Sequence, residues 1–295
     1  MIATPFTNAL PWVLLNGRFV RAEKAAVSVF DRSFQLGDGL FETLRVINGC
    51  PIQWREHWRR FAATAKWLNI PLPCSGLAGL IFVHELLKQN HVQDAILRLH
   101  LSRGPGPRGY SPRGAGNPTL LMALYPAPVV EPGRPRTVRL GLSSFRLDSH
   151  NPTQQHKTTS RVLHVLAKAE ADDAGYDDAL LLDARGRVLE ATSSNFFWFR
   201  GQTLVTPPLS AGILPGTTRA HVIKLAKRKG IAMEEQLASI AQIVRGKGAF
   251  LTVSTSGISA VTKIGNHRVA ASPMMRELHA ELEQRWQLEA VRKTR

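Results

Sequence analysis

Four short stretches set residue types side by side that could do chemistry. In His156-Lys157-Thr158-Thr159-Ser160, a lysine stands just ahead of a helical apolar face, Val162, Leu163, Val165, Leu166 and Ala169. A desolvated lysine has a depressed pKa and can form a Schiff base, whereas most lysines are simply solvated cations. In Val188-Leu189-Glu190 followed by Ala191 through Asn195, one carboxylate lies between an apolar strand and small polar residues. It reads either as a solvent-facing turn acid or as an acid set against a cofactor. In Leu214-Pro215-Gly216-Thr217-Thr218-Arg219, a glycine precedes two hydroxyls where a helix begins. Exposed N–H groups and the positive end of the helix dipole can seat a phosphate there, or a threonine merely caps the helix. Val253 to Gly257 clusters hydroxyls at a strand end, either as a turn or as an anion site. Two candidate anion seats together suggest a phosphorylated ligand.

Other templates are absent. The sequence has no Walker-type phosphate loop, no nucleophile elbow, no His-Glu-x-x-His and no dinucleotide-binding glycine fingerprint. The histidines are scattered and none is assigned a metal. The only cysteines, Cys50 and Cys74, support neither a disulfide framework nor a zinc site.

Taken in order, Asp31 to Arg45, Glu56-His57-Trp58-Arg59-Arg60-Phe61, Lys157, Asp183 to Asn195 and Leu214 to Arg219 resemble the class IV aminotransferase family. These are fold type IV pyridoxal-phosphate enzymes, including branched-chain and D-amino-acid aminotransferases and aminodeoxychorismate lyase. The resemblance runs from about Asn16 to Val261. It implies that Lys157 holds pyridoxal 5'-phosphate covalently and afterwards moves protons at the substrate carbon. Glu190 would face the pyridine nitrogen, keeping it protonated so that the ring accepts charge. Arg60 would grip the cofactor phosphate, with the backbone N–H groups of Thr217 and Thr218 and the Ser254 hydroxyl completing the cradle. Arg60 lies off the apolar stripe of its own helix, but the opposite face carries Ala63, Thr64 and Trp67, so that face need not meet water.

Members of the family differ in the substrate loop. Here it reads Ser102-Arg103-Gly104-Pro105-Gly106-Pro107-Arg108-Gly109-Tyr110-Ser111-Pro112, similar to the lyase pattern. Arg108 and Tyr110 would bind a substrate carboxylate, the arginine through a bidentate fork; otherwise the stretch is a mobile basic loop. Ser160 stands where the lyases carry asparagine, and Phe41-Glu42-Thr43 is the transferase-like form of its motif. The resemblance therefore leads to a 4-amino-4-deoxychorismate lyase that releases pyruvate and 4-aminobenzoate for folate synthesis. The alternative is an aminotransferase acting on D-amino or branched-chain amino acids. It also implies a homodimer.

The elements that must position these residues are legible from period and punctuation. Asn16-Gly17 and Asn48-Gly49 each sit between β-prone runs, the signal of a two-residue hairpin. Helices are predicted from Arg55 to before Pro71, Leu77–Asn90, Ser160–Ala174, Thr218–Lys229, Glu235–Arg245 and Pro273–Val291. Strands are predicted at Asp94–Leu101, Thr119–Tyr125, Thr137–Ser144, Ala179–Asp183, Val188–Glu190, Asn195–Arg200, Thr203–Thr206 and Ala249–Thr252. Four prolines between Pro126 and Pro135 mark a stiff linker. The expected organisation is a small α+β domain over 1–127, a linker over 128–136 and a larger domain over 137–295 carrying Lys157. The fold class is α+β with mostly antiparallel strands; the resemblance specifies an N-terminal α/β sandwich and a C-terminal pseudo-barrel.

Of 295 residues, 44% are hydrophobic and 20% charged, which excludes a mainly disordered chain. No apolar run approaches membrane-spanning length, and Met1–Pro11 does not read as a secretory signal, so a cytoplasmic protein is the default. Lys and Arg number 38 against 22 acids, a formal net charge of +16. That surplus could attract nucleic acid, an anionic membrane or an acidic small molecule and decides nothing by itself; because the cations are spread along the chain, a non-catalytic nucleic-acid-binding module is a distant alternative.

Overall fold

The computed structural model describes residues 8–129, 131 and 133–293. The beginning of the Met1–Pro11 stretch and positions 130 and 132 of the expected linker lie outside the described residues. The chain forms two compact units. One comprises the residues up to Pro128 with Lys157–Ser160 and the chain from Trp286 onward, and the other comprises Val129–His156 and Arg161–Arg285. The expected second domain, 137–295, is therefore not contiguous. The Phe41 N–H donates to the Lys157 carbonyl and the Thr159 N–H to the Gly39 carbonyl, which draws 157–160 into the first unit. The Gln53 N–H and the Cys50 thiol likewise bond Glu289 and draw in the C-terminal turns.

The first unit contains β1 (Trp12–Leu15), β2 (Arg18–Arg21), α1 (Arg32–Leu36), β3 (Gly39–Ile47), β4 (Cys50–Pro51), α2 (Trp54–Leu68), α3 (Gly76–Gln89), β5 (Ala95–Ser102) and β6 (Thr119–Pro126). Its sheet has the order β2-β1-β6-β5-β3-β4, antiparallel throughout. Both Asn-Gly pairs make the tight turns expected of them. Asn16 and Gly17 have φ of +50° and +79°, Asn48 and Gly49 +48° and +74°, the doubly left-handed geometry that matches strand twist. Strand alternation buries Leu40, Leu44 and Val46 of β3 with Leu97, Leu99 and Leu101 of β5 against Phe61 and Ala65 of α2 and Val83 and Leu86 of α3.

The second unit contains β7 (Arg136–Arg146), α4 (Val162–Asp173), β8 (Asp178–Leu182), β9 (Val188–Ala191), β10 (Asn195–Arg200), β11 (Thr203–Thr206), α5 (Thr217–Arg228), β12 (Met233–Glu235), α6 (Ile240–Ile243), β13 (Ala249–Val253), β14 (Gly257–Ile264) and β15 (His267–Arg268). It also holds the larger part of α7 (Pro273–Lys293). Its sheet runs β12-β11-β10-β13-β14-β7-β8-β9, and β9 pairs back onto β10 through Glu190 and Asn195. Six strands thereby close into a barrel-like ring. Parallel neighbours are confined to β7 with β8 and β14, and to β11 with β12, so the α+β, mostly antiparallel class holds. No helix among the described residues is long and apolar enough to cross a membrane.

Two local expectations need correction. The helix predicted over Glu235–Arg245 is instead the end of β12 and the four-residue α6. Residues 233–235 pair in parallel with β11, and Ser239 with Gln242 forms a capping box that starts the helix late. The long strand β14 is not among the predicted strands, because its hydroxyl and lysine residues mask the apolar alternation.

The left-handed turn at Asn48 yields a test. Asn48→Gly is expected to be nearly neutral, whereas Asn48→Val, whose branched side chain resists positive φ, should cost about 1–2 kcal/mol in urea denaturation.

Candidate active site

In the first unit, the segment 157–160 lies along the start of β3 with Thr158 opposite Leu40. The Thr159 hydroxyl donates to the Gly37 carbonyl at 2.6 Å and accepts from Ser33 Oγ at 3.2 Å. This fixes Lys157 next to Phe41, with Nζ 4.6 Å from the ring centroid, a cation–π distance. Lys157 is half-buried.

One residue along β3, the side chain points to the helical side. Glu42 is 1% exposed at a position where alternation calls for an apolar residue. Arg60 of α2 grips it with a fork, Nε to Oε1 at 2.7 Å and Nη2 to Oε2 at 2.8 Å, and His57 Nδ1 lies 2.7 Å from Oε2. Burial raises the Glu42 carboxyl, but the Arg60 and His57 charges and hydrogen bonds outweigh it and hold the group far below the usual carboxylate range. Burial also pushes His57 below its ordinary value, with Glu42 opposing and the Arg60 and Lys157 charges assisting. An ionised carboxylate only accepts, so the imidazole donates from Nδ1 in either of its charge states.

Arg60 is half-buried, but not because the opposite face of α2 is shielded from water. Ala63 and Trp67 are exposed, so the opposite face of α2 does meet water. The buried stripe is Trp54, His57, Phe61, Thr64 and Ala65, and Arg60 flanks it between His57 and Thr64.

Arg108 and Tyr110 are both exposed, Tyr110 at 90%. Their loop is nevertheless tied down, since Arg32 donates from Nη1 to the Gly109 carbonyl at 3.0 Å and from Nη2 to the Tyr110 carbonyl at 3.1 Å.

In the second unit, Glu190 is 5% exposed. Its Oε2 accepts from Asn195 Nδ2 at 3.2 Å and from the Leu214 N–H at 3.1 Å, while the same amide nitrogen donates to the Leu214 carbonyl at 2.9 Å. Asn195 thus orients the acid and binds it to the loop leading into α5. Glu190, Asn195 and Thr252 stand in one row across β9, β10 and β13. Thr217 and Thr218 open α5, and the N-cap is Gly216 with no side-chain cap. A methyl on Gly216 would lie 2.0 Å from Asn195 Oδ1, so a larger residue there must displace the Asn195 side chain. The Thr218 and Thr252 hydroxyls are buried without a hydrogen-bond partner, on elements packed against each other, and Ser254 lies half-buried in the turn after β13. Orphaned donors at an uncapped helix start fit an anionic, oxygen-rich group such as a phosphate.

Sequence reasoning missed Glu42 and His57 as the partners of Arg60, Asn195 as the partner of Glu190, and Arg32 as the anchor of the loop. Only Glu42 carried a readable signal, an acid at a core-facing position of an alternating strand, which demands a buried cation.

Comparison with known proteins shows the family. Residues 39–264 match the family described as amino-transferase class IV. A Methanocaldococcus jannaschii protein described as a branched-chain-amino-acid aminotransferase is 35% identical over 276 residues, 93% of this chain and 94% of that protein. An aminodeoxychorismate lyase of Vibrio harveyi is 30% identical over 81% of this chain and 87% of its own. Among solved structures, the branched-chain aminotransferase of the archaeon Thermoproteus uzoniensis, determined with norvaline, superposes with a TM-score of 0.85 at 27% identity, covering 94% of each chain.

The buried Glu42–His57 pair sets a pH dependence. Folded His57 holds its proton less tightly than the ordinary 6.5, and folded Glu42 less tightly than the ordinary 4.5. The unfolded chain takes up these protons first, so stability is complete above both values and falls with acidification through them. The thermal midpoint should drop between about pH 7.5 and 5.5, and His57→Gln should flatten that drop by a few degrees, with other buried histidines leaving a residual slope.

Proposed function

The chain belongs to the class IV aminotransferase family, and on that premise we propose that it is a pyridoxal 5'-phosphate enzyme whose substrate is 4-amino-4-deoxychorismate. When bound, pyridoxal phosphate supplies an electron sink for charge released at the substrate carbon. Lys157 is the residue that tethers the cofactor and then carries a proton to or from the reacting carbon. Glu190, held by Asn195 and the Leu214 N–H, keeps a proton on the ring nitrogen. Arg60, the N–H groups of Thr217 and Thr218 and the Ser254 hydroxyl bind the phosphate, and the orphaned Thr218 and Thr252 hydroxyls support a phosphate at that helix start. Arg108 and Tyr110 bind a substrate carboxylate.

The observation that carries the lyase reading is the loop Ser102 to Pro112, whose backbone is anchored while Arg108 and Tyr110 stand exposed. In this reading a ring proton leaves to Lys157, the C–O bond to the enolpyruvyl group breaks as the ring becomes aromatic, and the departing enolpyruvate takes up a proton to become pyruvate, leaving 4-aminobenzoate for folate synthesis. A second reading, an aminotransferase for branched-chain or D-amino acids, is favoured by the 35% identity over 93% of the chain. The two differ in whether a leaving group is aligned for elimination. We extend the proposal to a cytoplasmic homodimer; the exposed run Val27, Val29, Phe30, Phe34 and Leu36 supports a paired surface.

Incubation with 4-amino-4-deoxychorismate should release 4-aminobenzoate and pyruvate in equal amounts. Rapid keto-acid formation from branched-chain or D-amino acids with 2-oxoglutarate, without 4-aminobenzoate, selects the second reading instead. Lys157→Ala should lose the visible absorbance and the borohydride-fixed adduct. Gly216→Ala, which displaces Asn195, should weaken pyridoxal phosphate binding by roughly tenfold, followed by absorbance titration.

A further inference from the structure

We propose that Arg32 is the positioning residue for substrate carboxylate recognition, setting the loop backbone from which Arg108 and Tyr110 project. The inference rests on the proposed role of those two side chains. Arg32 is 3% exposed, whereas residues 107–114 are all exposed, so no apolar burial of their own gives them a fixed shape. What holds them is donation to backbone carbonyls. Arg32 sends Nη1 to the Gly109 carbonyl and Nη2 to the Tyr110 carbonyl, the carbonyls of the two peptide bonds that flank the Tyr110 Cα, and Nε to Asp38 Oδ2 at 2.8 Å. Only a guanidinium offers such donors in one rigid plane.

The anchor is itself fixed on every side. The Arg32 N–H donates to the Gly104 carbonyl at 3.0 Å, at the loop's near end. Gly106 packs so closely that a methyl there would stand 2.9 Å from Arg32 Cδ. Asp38 is shared with Arg103, which reaches it through Nε at 2.8 Å and also donates to the carbonyls of Leu68 and Asn69 at the end of α2. The neighbouring Asp31 accepts from Ser102 Oγ at 2.6 Å and Thr119 Oγ1 at 3.0 Å, fastening both stems of the loop. Burial works against the Asp38 charge, yet the two arginines keep its carboxyl below the usual range, so the ionised acceptor persists near neutrality. A carboxylate grip from exposed side chains works only if their Cα atoms are already in place, because ordering them on binding subtracts from affinity.

The test is Arg32→Lys, which keeps a cation for Asp38 but loses the fork. Trypsin cuts after Arg103, Arg108 and Arg113, each followed by glycine in this loop. The variant should be nicked there at least about fivefold faster than the wild type, with an unchanged thermal midpoint of cofactor absorbance. The loss in turnover should fall mainly on KM for the carboxylate substrate, by roughly tenfold or more. Arg32→Gln, which lacks the charge as well, should resemble the lysine variant in cleavage, since neither has the fork. Wild-type nicking rates and KM in Arg32→Lys would overturn the proposal. So would loss of cofactor absorbance with an intact loop, which assigns Arg32 a general structural role. Should the wild type prove to lack either activity, the proposed function fails while the cleavage comparison still decides whether Arg32 anchors the loop.

Discussion

Two backbone hydrogen bonds, from Phe41 to Lys157 and from Thr159 to Gly39, carry more consequence than any others in the molecule. They take a four-residue piece out of a stretch otherwise belonging to the second unit and lay it along β3 of the first. Without them Lys157 has no fixed relation to Phe41, to His57 or to Arg60. The Thr159 and Ser33 hydroxyls reinforce the attachment, and the turn through Gly37 supplies the acceptor. The main-chain bonds fix where the Lys157 side chain starts, and the Phe41 ring lies 4.6 Å from its ammonium.

Around that segment, charge is handled by pairing rather than by exposure to water. Glu42 is enclosed yet ionised because a fork and an imidazole saturate it. Glu190 is enclosed and oriented by an amide and a main-chain N–H. Asp38 serves two arginines at once. For Glu42 and Asp38 desolvation opposes the charged form, and the donors around them reverse the balance. Arg32, Arg60 and Arg103 are internal fasteners paired with these acids, so they account for little of the net charge of +16.

How much of this can be read from residues alone depends on the distance between partners. The Asn-Gly hairpins, the helix that ends before Pro71 and the strands at 95–102 and 195–200 are legible because their causes are local. Lys157, Glu190 and the Thr217–Thr218 helix start are legible as a combination through family resemblance. The supports are not. His57 and Arg60 lie 15 and 18 residues from Glu42, and the Arg32 fork spans 77 and 78 residues, so no window of periodicity contains both ends. The 235–245 stretch shows the reverse failure: helix-forming composition there is overridden by sheet addition beside β11, a tertiary effect that propensity does not see.

The ring of strands in the second unit has a seam. Among its joints, β9 to β10 rests on the single residue pair Glu190 and Asn195, whereas the neighbouring joints run over several. The two residues that close the ring through their backbones are also the acid and the amide that aims it. A change in strand pairing at that joint therefore also turns the Glu190 carboxylate, so closure of the cylinder and the direction of the acid are set together.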